Sequence, residues 1–98
     1  MKTILLLRRM KEDLNPAELS ALEAKWPDEE LKFVRTDPRD FKEHADDCTR
    51  IQPDVVILPV ERPIPSLAMQ AGFRHVTMSP DGTTLIELQK INVEFGPF

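Results

Sequence analysis

Three apolar segments of this chain each run directly into arginine. Thr3-Ile4-Leu5-Leu6-Leu7 continues as Arg8-Arg9, with Lys11 close behind. Leu31-Lys32-Phe33-Val34 continues as Arg35, and Asp54 to Val60 continues as Glu61-Arg62. A guanidinium offers a planar fork of donors that suits phosphate or carboxylate. If the three segments are neighbouring parallel strands, their arginines emerge at one edge. In open α/β sheets that is the edge where ligands bind. Glu61 is the one acid expected there, to orient an arginine or to act as a base on a ribose hydroxyl. The duller alternative is pairing of these arginines with Asp37, Asp40 and Glu61. Exposed ion pairs contribute only about 0–1 kcal/mol, which makes pairing a weak reason for so many arginines.

The remaining chemistry-bearing residues are weaker candidates. Ser79 follows an apolar segment at its carboxyl end and could touch the same ligand, although Ser-Pro also starts a turn by itself. His75 lies near the beginning of that segment, away from the ligand edge, and reads as a surface or partly buried strand residue rather than a catalyst. His44 and Cys48 stand i, i+4 on one helix and could share a metal. Two ligands do not make a site, and no third stands at supporting spacing. Cys48 falls on an apolar stripe with Phe41 and Ala45 and reads as a buried thiol, so neither metal nor cofactor is expected.

These residues need a scaffold, and the chain reads as alternating strand and helix. Residues 3–8 form a continuous apolar run of the kind found in a buried parallel strand. Asn15-Pro16-Ala17-Glu18 reads as a helix start, with Asn15 as cap and Glu18 closing a capping box. Leu14 and Leu19 are spaced for a hydrophobic staple. Leu19, Leu22 and Trp26 share a face, and Pro27 stops the helix. Residues 32–35 form a second strand, Asp37-Pro38 opens a second helix, and Pro53 ends that unit. The strand at 55–60 is the most apolar and should be central. A short helix at 66–71 precedes Gly72, and a fourth strand spans 74–78. Pro80-Asp81-Gly82 is a hairpin turn, and 84–95 form a last strand with a bulge near Gln89. Right-handed crossovers then predict a Rossmann-like half-fold. Its parallel strands run in order 2-1-3-4, with an antiparallel carboxyl-terminal strand at the edge.

Composition narrows the possible functions. Ninety-eight residues make one domain, with a small core that association would help. The net charge of −4 argues against general DNA binding. Three glycines are too few for a dinucleotide fingerprint or a phosphate-binding loop. One cysteine allows no intrachain disulfide, so the reading is a cytoplasmic protein. The apolar run at 4–7 is too short for a leader or a membrane span. The aromatic tail, Phe95-Gly96-Pro97-Phe98, reads either as a cover for the sheet edge or as a surface for a homodimer.

The stretch Pro53-Asp54-Val55-Val56-Ile57-Leu58-Pro59-Val60, with Leu67-Ala68, Gly72 and His75, resembles the small Rossmann-like accessory proteins encoded beside type III CRISPR systems. The resemblance covers about residues 51–78. It implies a homodimer associated with cyclic oligoadenylate second messengers, as a binder or as a metal-independent ring nuclease. One such group carries a serine-arginine-histidine turn after its first strand, where this chain has Leu7-Arg8-Arg9. The expected function is binding of a phosphorylated nucleotide at the strand ends. The matching chemistry, if any, is attack of a ribose 2′-hydroxyl on the adjacent phosphate, with arginines stabilising the developing charge. The alternative is a non-catalytic interaction module whose arginine edge meets an acidic protein.

Overall fold

The apolar run near the amino terminus forms β1 (Lys2–Leu7), whose last four residues are buried on both faces. That is the signature of an interior parallel strand. A computed structural model describes residues 1–7, 14–58, 72–88 and 95–98. The sheet contains β1, β2 (Leu31–Thr36), β3 (Val55–Ile57), β4 (His75–Met78), β5 (Leu85–Leu88) and β6 (Phe95–Pro97). Among the described residues two helices accompany it, α1 (Pro16–Lys25) and α2 (Phe41–Ile51). The six strands lie in the order β2-β1-β3-β4-β5-β6. β1 is parallel to β2 and β3, and β3 to β4. β5 is antiparallel to β4, and β6 to β5.

The expected 2-1-3-4 core of an α/β sheet is therefore present, with β3 in its interior. The carboxyl-terminal stretch differs from expectation. Residues 84–95 are not one strand: Leu88 pairs with Phe95, so the chain reverses between them. The expected bulge near Gln89 and the helix at 66–71 lie outside the described residues.

Local capping sets where the helices begin. The Asn15 side chain accepts the Glu18 amide at 3.0 Å, and Glu18 Oε1 accepts the Asn15 amide at 3.2 Å. This reciprocal box starts α1 as expected. The helix buries the i, i+4 row of Glu18 and Leu22, which leaves Leu19 facing solvent instead of sharing the Leu22 face. α2 starts at Phe41, later than Asp37-Pro38 suggested. Asp40, not Asp37, is its cap, and its carboxylate accepts the Glu43 amide at 2.8 Å. α2 ends at Gln52, whose φ of 55° is left-handed and whose amide donates to the Cys48 carbonyl.

Register connects these elements. Val34, Leu5, Val56 and His75 form one row across four strands. Alternation then splits the strands into two faces. Ile4, Leu6, Val55, Ile57, Val76 and Leu85 pack with Leu22 of α1. Leu5, Leu7, Val56 and Leu58 pack with Cys48 of α2. At the amino edge, Asp54 ties β3 to β1. Its carboxylate accepts the Thr3 amide and its own amide donates to the Thr3 carbonyl, both at 2.8 Å.

The tail folds back onto this chain. The Phe98 ring meets Trp26 edge-on, with centroids 5.9 Å apart, and the Arg74 guanidinium lies over it at 5.1 Å. Arg74 also forms a fork with Glu87, at 2.9 and 2.8 Å. That pairing holds the Glu87 carboxyl below its ordinary range. The side chain of Phe95 lies outside the description.

Candidate functional site

The carboxyl ends of β1, β2 and β3 lie side by side, because these strands are parallel and adjacent. Strand order reverses between β1 and β3, with α1 on one face and α2 on the other. Such a reversal opens a crevice at the strand ends. Arg8, Arg9, Lys11, Glu61 and Arg62 follow β1 and β3 in sequence but lie outside the described residues. Arg35 is exposed near the end of β2, paired with Leu6. Ser79 follows β4 at the same edge, but its hydroxyl is engaged. It donates to Asp81 and accepts the Thr84 amide at 3.2 Å. Gly82, at φ 73°, completes that turn by donating to the Ser79 carbonyl. The turn reading therefore accounts for both hydrogen bonds of the Ser79 hydroxyl.

Thr36, the last residue of β2, adds a feature the sequence did not reveal. Its hydroxyl oxygen is buried and has no hydrogen-bond partner among the described residues. It sits opposite Leu7 at the carboxyl edge. A buried hydroxyl without a partner is costly, so an unfilled one at a ligand edge is informative.

A second locus lies inside the molecule, between α2 and the sheet. His75 opens β4 and is buried, not a surface residue. Its row places it on the α2 face, where His44 and Cys48 also point inward. His44 Nε2 lies 3.1 Å from His75 Nε2 and 3.6 Å from Cys48 Sγ. His75 Nδ1 is 2.9 Å from the Phe73 carbonyl, so Nδ1 carries the hydrogen and Nε2 a lone pair. His44 Nδ1 is buried without a partner among the described residues. Burial removes the water that would stabilise an imidazolium, which lowers the pKa of His44 and pushes that of His75 down to about 4. The same desolvation pushes the Cys48 thiol up to about 12. Among the described residues this is the one group of three side chains able to hold a metal ion. The expectation that His44 and Cys48 lack a third companion is thus corrected, because β4 supplies it from 31 residues away in sequence.

Searches of protein-family models, of curated proteins and of solved structures found no match to this chain. No helix among the described residues is long and apolar enough to cross a membrane.

Proposed function

We propose that the protein binds a phosphorylated nucleotide at the carboxyl edge of the sheet, in the crevice between β1 and β3. The observation that carries this reading is the reversal of strand order between them, with α1 and α2 on opposite faces. Thr36 supports it by leaving an unfilled hydroxyl at that edge. Arg8, Arg9 and Arg62, following β1 and β3, would supply the charge, with Lys11, Arg35 and Glu61 at the margin. Charge-assisted forks are the strong form of such contacts. The resemblance to CRISPR accessory proteins supports a cyclic oligoadenylate as the ligand and a homodimer as the working form.

The test is a thermal-shift and calorimetric screen of mono-, di- and cyclic oligoadenylates at two salt concentrations. A ligand at 100 times its dissociation constant adds about 2.7 kcal/mol of stability. The expected result is salt-sensitive binding that Arg8→Ala, Arg9→Ala and Arg62→Ala each remove while the fold remains. Failure of every nucleotide to bind would overturn this reading. An acidic protein partner captured through the same arginines would then replace it.

A further inference from the structure

The chain contains two histidines and one cysteine, and all three meet at one buried point. We propose that His44, Cys48 and His75 form a binding site for a thiophilic divalent transition-metal ion of the zinc class. The proposal stands on the interior cluster alone and does not depend on the nucleotide reading.

Geometry is the first argument. A tetrahedral zinc ion with nitrogen ligands near 2.05 Å and sulfur near 2.3 Å sets nitrogen–nitrogen edges of about 3.3 Å and nitrogen–sulfur edges of about 3.6 Å. The observed His44–His75 and His44–Cys48 separations are 3.1 and 3.6 Å, and the three ligand atoms all lie within 4.8 Å of one another. Few side-chain adjustments separate this arrangement from a coordination shell.

Proton accounting is the second. The Phe73 carbonyl fixes the hydrogen of His75 on Nδ1, so its Nε2 lone pair points at His44. This is also the outer contact by which metal-bound histidines are oriented. If His44 carries its hydrogen on Nε2, it bonds His75, but the Cys48 thiol finds no acceptor at His44. If the hydrogen sits on Nδ1, two lone pairs face each other across 3.1 Å. A cation between the rings resolves that opposition.

Binding then balances simply. The Sγ–H bond of Cys48 breaks and its proton goes to solvent, while the single hydrogen of His44 sits on Nδ1 and leaves Nε2 free. Sγ and the two Nε2 lone pairs bind the ion, and water takes the fourth position. Asp47, beside Cys48 on α2, lies within electrostatic reach of both His44 and Cys48 and offsets part of the added charge.

Cobalt titration of the full, tag-free chain after chelator treatment tests the site. One equivalent of Co²⁺ should produce tetrahedral visible absorption and a thiolate-to-cobalt band in the near ultraviolet, both bleached by Zn²⁺. Because Cys48 is the sole thiol, that band on the wild-type chain reports the site even if a variant fails to fold. Cys48→Ser should remove the band. His44→Gln or His75→Gln should weaken zinc by at least about 100-fold, the upper end of what loss of an outer-shell partner costs. Asp46→Asn, on the exposed side of α2, should change neither. Absence of the near-ultraviolet band at stoichiometric cobalt would overturn the proposal. So would zinc affinity unchanged in all three ligand variants.

Discussion

The two faces of the sheet are built from the same strands by simple alternation, yet they bury different chemistry. Apart from Glu18, whose carboxylate closes the α1 capping box, the described interior of the α1 face is apolar: Ile4, Leu6, Val55, Ile57, Val76 and Leu85 close over Leu22. Its charged fork, Arg74 with Glu87, stays at the partly exposed rim beside Phe98. The α2 face buries Leu5, Leu7, Val56 and Leu58, but also His44, Cys48, His75 and Thr77. Burying polar groups is unfavourable unless they find partners. One face therefore serves packing, while the other carries groups that packing alone does not require.

The largest effect should come from opening the dry face. Leu22→Ala should destabilise the protein by about 2–5 kcal/mol in denaturant unfolding, because it leaves a cavity among fully buried neighbours. A smaller value would mean that α1 can settle onto the sheet, and the contrast between the faces would weaken.

On the other face, His75→Leu in chelator-treated protein should cost about 1–3 kcal/mol, since it leaves His44 and the Phe73 carbonyl without their partner. Adding His44→Leu should recover part of that loss, because removing both partners leaves fewer orphans. A strictly additive double variant would show that the two rings are not coupled.

A smaller effect belongs to the rim. Arg74 lowers the folded pKa of Glu87 beneath its ordinary 4.5, first through the hydrogen bond between them. The pair therefore adds stability above that ordinary value, and the stability is lost as pH falls through the lower folded pKa. Wild type and Glu87→Gln should differ at neutral pH and converge in acid. A gap that persisted in acid would show that packing, not charge, holds this contact.

The smallest effect is expected at Leu19. It is exposed beside the buried Leu22, so Leu19→Ser should change stability by no more than about 0.5 kcal/mol.

Much of the dry face was legible in the sequence, because continuous apolar runs and an Asn-Pro-x-Glu start are local signals. The 2-1-3-4 order followed from the alternation of such runs with helices. The carboxyl-terminal reversal was hidden, since Ile91, Val93 and Phe95 continue an alternating pattern with no glycine or proline between Leu88 and Phe95. On the wet face, His44 and Cys48 were readable as an i, i+4 pair. His75 was not, because its company depends on the pairing of Val56 with His75, a long-range property of sheet order. Counting the histidines and the cysteine together was the available clue. Their scarcity makes a shared location informative only once the strands are aligned.

The reciprocal hydrogen bonds between Asp54 and Thr3 bear on how this architecture can change over time. They anchor the central strands where both begin, so one residue fixes which side chains of β1 stand beside which side chains of β3. In evolutionary terms Asp54 is a point of inheritance: the alignment of the two strands passes from one sequence to the next through it.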